Sequence, residues 1–127
     1  MSHSYKDLIV WQKAKTLAGN IYRATDSFPA KETYGLTSQM RRAAVSVVSN
    51  IAEGQGRLTK GEFQQFLGHS RGSLLELETQ RAIAVDLQYL TAVVSHDLET
   101  KIAEVNRRLN GLISSLQVRA KVARNSG

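Results

Sequence analysis

Three histidines, a scatter of serines, one glycine-bearing turn and 17 lysines and arginines are the residues with chemical potential in this 127-residue chain. A dimetal site in a helical bundle needs inward Glu and Glu-x-x-His ligands on facing helices. His3, His69 and His96 stand far apart in sequence and form no His-x-x-x-His or Glu-x-x-His pair, so neither a metal nor another cofactor is expected. No motif places a histidine to activate a serine, and "SRGS" at 70–73 reads as small residues that let helices approach. The segment "QMRRAAVSVVSNIAEGQGRLTKGEF" (39–63) lacks Gly-x-x-x-x-Gly-Lys-Ser/Thr and no strand precedes it, which excludes a phosphate loop. An enzyme is not expected.

What remains is charge. Lys13, Lys15 and Arg23 are assigned to the outer side of a first helix, and Arg41 and Arg42 to the outer faces of a second. Arg57 and Lys60 flank a turn, and Arg107, Arg108, Arg119 and Lys121 enrich the C-terminal part. These are the candidate nucleic-acid-binding residues. For any single one a solvated surface charge is the simpler account, and Arg41 or Arg42 can instead pair with an acid such as Glu53 or Glu78. No aromatic platform is visible between them in sequence, so base readout is not expected.

The elements that must position these charges follow from periodicity. Val10, Trp11, Ala14, Leu17, Ala18, Ile21, Thr25 and Phe28 recur at helical spacing, predicting a helix over about 7–27 that stops before Pro29. Leu36, Met40, Ala43, Ala44, Val47 and Ile51 define the core face of a second helix over 36–54. Its second apolar strip, Val45, Val48 and Ala52, points to a subunit contact or a very central position of the helix. In "EGQGR" Gly54 and Gly56 suit a C-cap with φ > 0, and "TKGE" (59–62) has the spacing of a capping box.

A third helix over 60–88 aligns Phe63, Phe66, Leu67, Ser70, Leu74, Leu77 and Val85, with Glu78 and Arg81 on the same face as a structural ion pair rather than catalytic groups. A fourth over 92–117, capped by Thr91 or Ser95, carries Leu98, Ile102, Val105, Leu109, Leu112, Ile113 and Leu116. Residues 1–117 therefore make one domain, and 118–127 a basic tail expected to fray. The fold expected is all-α: an antiparallel up-down-up-down four-helix bundle.

Composition agrees. One proline and few aromatics disfavour a β-rich domain, and the absence of cysteine removes disulfides and thiolate sites. No signal peptide or membrane span is legible, so a cytoplasmic protein is expected. The net charge of +6 is uneven: residues 1–58 carry eight basic and four acidic residues, 59–90 three and four, and 91–127 six and three. That balance favours polyanionic partners.

"YKDLIVWQKA" (5–14), "IYRAT" (21–25), "FP" (28–29), "YGLTSQMRRAAVSVVSNIAEG" (34–54) and "GSLLELETQ" (72–80) lie in the order of a known family. The chain resembles the four-helix-bundle proteins related to the reading frame in intervening sequences of bacterial 23S rRNA genes. The resemblance implies assembly into a homopentamer. It also implies kinship with the accessory variability determinant of diversity-generating retroelements, which binds a reverse transcriptase and nucleic acid through a basic surface. Family members often carry proline within "SIPSNIAEG" where this chain has Val48, so a kink there is expected to be absent or shallower.

Together these readings predict a non-catalytic homo-oligomeric bundle that binds RNA or DNA through basic surfaces, as accessory to a nucleic-acid enzyme such as a reverse transcriptase. The alternative is an oligomeric protein-interaction scaffold without nucleic-acid contact. In a fivefold ring the protomer charge of +6 becomes about +30, which favours salt-dependent binding that tolerates sequence.

Overall fold

The computed structural model describes the backbone of residues 4–126 and the side chains of residues 4–117. Four helices make it up: α1 (Ile9–Thr25), α2 (Leu36–Gln55), α3 (Lys60–Asp86) and α4 (Ala92–Ser126). Short 3-10 turns at Tyr5–Asp7 and Ala30–Glu32 complete the order, and there is no strand among the described residues. Each helix packs on its neighbours in sequence and α4 closes back on α1, while the diagonal pairs do not meet. Residues from the end of each helix touch the start of the next, as Thr25 with Arg41 and Arg81 with Ser95 do. The result is an antiparallel four-helix bundle. Among the described residues no helix is long and apolar enough to cross a membrane.

The boundaries reflect local chemistry. Ser4 accepts from the Lys6 amide and caps the 3-10 turn, and Leu8 is extended, so α1 begins at Ile9 rather than at 7. Thr59 Oγ1 accepts from the Glu62 amide at 3.1 Å, the N-cap expected of "TKGE", and donates to the Glu62 carboxylate at 3.1 Å. Glu62 thus bonds the Thr59 hydroxyl where a full capping box would bond its backbone N–H. Thr91 caps α4 through the Val94 amide, leaving Ser95 free for Arg81. α3 ends in a Schellman motif: Tyr89 N–H donates to Ala84 C=O and Gln88 N–H to Val85 C=O, with Gln88 at φ 62°. The helical assignment of α4 runs to Ser126, past the expected end near 117, because Val118–Arg124 contains good helix formers and no Gly or Pro. The side chains of 118–127, and with them the expected basic tail of Arg119 and Lys121, lie outside the described residues.

Gly54 and Gly56 were expected to use φ > 0, and neither does. Gly54 is instead helical and buried, and a Cβ there would stand 2.9 Å from both Phe63 Cδ1 and Phe66 Cβ. Its role is to let α3 come close. Ser70 works for the same seam: it is fully buried and donates to the Val47 carbonyl of α2 at 2.7 Å.

The core runs the length of the bundle, with Leu17, Ile21, Met40, Ile51, Leu67, Leu74, Leu77, Leu98, Val105 and Leu109 at 1% exposure or less. Three expected core residues are corrected. Trp11, Phe63 and Phe66 are only half-buried, because Trp11 sits against Tyr5 and Lys15 at the rim and the two phenylalanines close the outer edge of the α2–α3 seam. On α3, Ala84 is buried and Val85 exposed, one position off the expected face. Val48 is partly buried and packs against the protomer's own core, whereas Val45 is exposed. α2 passes through Val48 without interruption.

The pair Glu78 and Arg81 is present and larger than expected. Arg81, 8% exposed, donates to both Glu78 oxygens at 2.8 and 2.6 Å and to Ser95 Oγ at 2.6 Å, and lies 3.0 Å from Glu99. One guanidinium therefore clamps α3 to α4.

At this same end Glu32 ties two connections together. Its carboxylate accepts from the Leu36 amide at 3.2 Å and from Tyr89 Oη at 2.9 Å, and the Tyr89 ring packs on Phe28. The Leu36 bond first, then the Tyr89 bond, holds the Glu32 carboxyl below its ordinary range.

Replacing Leu74 by Ala is expected to cost about 2–5 kcal/mol in chemical denaturation, the range for buried leucines. Glu32 gives a pH-dependent outcome. A lowered folded-state pKa stabilises above the ordinary value of 4.5 and is lost as pH falls through the lowered one. Glu32→Gln is therefore expected to be less stable than the parent near neutral pH, with the gap closing below about pH 4.5. Equal gaps at both ends of the pH series would remove this role.

Candidate nucleic-acid interface

Successive turns of α2 present Thr37 and Ser38, Arg41 and Arg42, then Val45 and Ser46 along one outward stripe. Tyr22, one turn from the end of α1, and Thr33 and Tyr34 of the α1–α2 connection face this stripe across an open groove of about 690 Å³. The two arginines play different parts in it.

Arg41 is fixed. Its Nε donates to Thr25 Oγ1 at 2.9 Å, and its Nη2 donates to the Tyr22 carbonyl at 3.2 Å and to Asp26 Oδ1 at 3.0 Å. The guanidinium also lies 4.7 Å from the Tyr22 ring centroid. Arg41 therefore caps the C-terminus of α1, where free carbonyls and the helix dipole favour a cation. The acid partner is Asp26, not Glu53 or Glu78. Arg42 is exposed and makes no hydrogen bond or ion pair among the described residues.

The other basic candidates are spread over separate faces. Lys13 and Arg108 share Glu104 at 3.2 and 3.5 Å across the α1–α4 seam, and Lys13 foremost holds that carboxyl below its ordinary range. Lys15 lies over Trp11 and Arg23 donates to Asn20, both on the outer side of α1 beside a shallow groove of about 380 Å³. Arg57 pairs with Glu53 at 3.2 Å and covers Phe66. Lys60 and Arg107 have no partner among the described residues. Whereas Lys15 and Arg23 share the shallower concavity with Trp11 alone, Arg41 and Arg42 share theirs with two aromatic side chains, Tyr22 and Tyr34.

That concavity corrects the expectation of no aromatic platform. Tyr22 is 43% exposed and Tyr34 97% exposed, and they come from two different segments. The usable sequence signal was an aromatic outside the apolar face of α1, next to Arg23, and a second one in a turn before Gly35. Arg71, absent from the basic candidates, donates to Asn110 of α4 at 3.0 Å.

One further spelling is settled by the fold. Gly68-His69-Ser70-Arg71-Gly72 matches the Gly-x-Ser-x-Gly of a nucleophile elbow, which needs an exposed serine on a strand-to-helix turn. Here it lies inside α3 with Ser70 fully buried and bonded to Val47. Among the described residues no group of three or more His, Asp or Glu side chains is placed to hold a metal ion.

A family model described as 23S rRNA-intervening sequence protein matches residues 6–111. Among solved structures the chain is similar to a protein of unknown function from the S23 ribosomal protein family of Bacteroides thetaiotaomicron VPI-5482, known from a 1.70 Å crystal structure. The TM-score is 0.75 at 19% identity, covering 83% of this chain and 98% of that one. This likeness supports the fold. No curated protein matches.

The unequal arginines predict unequal variants. Arg41→Gln is expected to lower stability by about 1 kcal/mol by removing the bonds to α1, and Arg42→Gln to stay within about 0.5 kcal/mol of the parent. Thermal and denaturant midpoints of the two variants, measured side by side, check this.

Proposed function

The chain belongs to the 23S rRNA-intervening sequence protein family, and on that premise we propose that it is a non-catalytic, homo-oligomeric bundle that binds RNA or DNA through its basic surface. The observation that carries the reading is Arg42, an exposed cation without an acid partner among the described residues, beside a second guanidinium in an open groove of about 690 Å³. Lys60 and Arg107 extend the set of uncompensated charges. Such a surface neutralises phosphates, releases counterions and tolerates sequence. A protein of this kind serves as accessory to a nucleic-acid enzyme, such as a reverse transcriptase, by presenting the strand.

Assembly is supported by α3. Gly68 and Gly72 lie in its helical body and Gly61 in its first turn, and a Cβ at any of them would meet nothing within 4 Å. A helical glycine costs about 1 kcal/mol relative to alanine, and nothing within the protomer offsets that cost here. Helical spacing aligns the three with Leu75, 60% exposed, and places Ile83, 45% exposed, at the edge of the same outer face. Small residues beside exposed apolar ones suit the close approach of another copy, in the fivefold ring that the family resemblance implies. This face replaces the Val45, Val48 and Ala52 strip as the leading contact, since Val48 is engaged inside the protomer. The same apolar face favours a second reading, an oligomeric protein-interaction scaffold without nucleic-acid contact.

Mobility shift with a structured RNA across a salt series separates the two readings. Affinity is expected to fall log-linearly between about 50 and 200 mM salt, and Arg42→Gln or Arg107→Gln to reduce the slope by about one for each phosphate no longer neutralised. No shift by the parent at about 50 mM salt favours the scaffold. For assembly, sedimentation is expected to show an oligomer that Leu75→Glu dissociates while helicity is retained. A monomeric parent at micromolar concentration defeats the oligomer, and an undisturbed oligomer in Leu75→Glu moves its interface elsewhere.

A further inference from the structure

A surface that holds nucleic acid by charge alone has no use for exposed aromatic rings, yet the Arg41–Arg42 groove has two. Tyr34 is 97% exposed and makes no hydrogen bond or ring contact among the described residues. Its backbone is nevertheless well held. The preceding 3-10 turn is closed by Glu32 N–H to Pro29 C=O at 2.9 Å and Thr33 N–H to Ala30 C=O at 3.1 Å. Gly35 N–H donates to Glu32 C=O at 2.9 Å, and Glu32 is itself anchored to Leu36 and Tyr89. A Cβ at Gly35 would lie 2.7 Å from Glu32 Oε1, so a side chain there would displace the carboxylate oxygen that accepts from the Leu36 amide. The fold thus mounts a bare phenol ring on a fixed turn. Tyr22 supplies a second ring, with the Arg41 guanidinium set 4.7 Å from its centroid.

Bases in a duplex keep their faces stacked on each other and offer a protein their phosphates and edges, whereas unpaired bases offer a π-face to any aromatic side chain. The groove is open to solvent, and its volume of about 690 Å³ leaves room for a base between the two rings and the arginines. Resting on the nucleic-acid reading above, we infer that this groove takes an unpaired stretch of RNA or DNA, with a base stacked on Tyr34 and a neighbouring phosphate paired to Arg42. Tyr22, backed by Arg41, forms the opposite wall. Stacking reads no base edge, so the site selects unpaired over paired nucleic acid and leaves sequence unread.

The test uses the full chain, a labelled unstructured RNA strand and the same strand annealed to its complement, followed by fluorescence anisotropy. Tyr34→Ala is expected to weaken single-strand binding roughly 5- to 150-fold, the effect of removing one stacking partner. Duplex binding should stay within about twofold, since the phosphates are untouched. Tyr34→Phe keeps the ring and should bind as the parent does. Because Tyr34 carries no charge, its removal leaves the salt slope unchanged, while Arg42→Gln lowers it by about one. An exposed side chain is not needed for folding, and an unchanged thermal midpoint in Tyr34→Ala confirms it. Parent binding to single strand with Tyr34→Ala unaffected, or equally weakened for both forms, overturns this inference and leaves the broader reading standing. A parent that binds neither form overturns both.

Discussion

The close α2–α3 seam is the constraint on which the rest of the bundle is built. Gly54 removes the atom that would otherwise hit Phe63 and Phe66, Ser70 bonds the Val47 carbonyl, and Ser46 and Ser73 share a 2.8 Å hydrogen bond across the same line. With α2 held so near α3, its apolar stripe faces inward toward α1 and α4 as well, and Met40, Val47 and Ile51 are sealed. The opposite stripe of α2 is thereby turned outward, which is why Thr37, Arg41 and Val45 line a groove rather than a core.

Most of the architecture is legible in sequence because helical periodicity is a local property. Leu98, Ile102, Val105 and Leu109 repeat cleanly, and all four are buried. Sequence misleads where one helix has more than one neighbour. Val48 reads as part of a second apolar strip on α2 that needs a second neighbour, and it is partly buried against the protomer's own core while Val45 stays exposed. α3 is apolar around much of its circumference, so periodicity misplaces its buried face by one residue at Val85 and Ala84. The glycines of "EGQGR" point to a backbone requirement when the actual one is space, which depends on what another helix brings.

The candidate site is half legible. Arg41 and Arg42 stand out as a basic pair, but their neighbours cannot be read from spacing, because Tyr22 and Tyr34 reach them from separate segments. Nor can sequence tell that Arg41 serves the end of α1 while Arg42 is free. Charge counts treat them alike, and only three-dimensional placement divides the structural cation from the available one. The same division recurs at Lys13 against Arg107: one is bound to Glu104 and the other makes no ion pair among the described residues.

The Glu32–Tyr89 hydrogen bond joins the α1–α2 connection to the α3–α4 turn, two loops separated by 57 positions in the chain. Loops of exposed backbone usually open independently, each at its own small free energy. Here the amides of 32–36 and those around 87–89 lean on one shared bond and on the Phe28–Tyr89 ring contact. Native-state hydrogen exchange should therefore find both loops in a single cooperative unit, protected together and released together. The perch of Tyr34 would then borrow its rigidity from residues more than fifty positions away, so slow exchange at the far turn would report on the order of the groove.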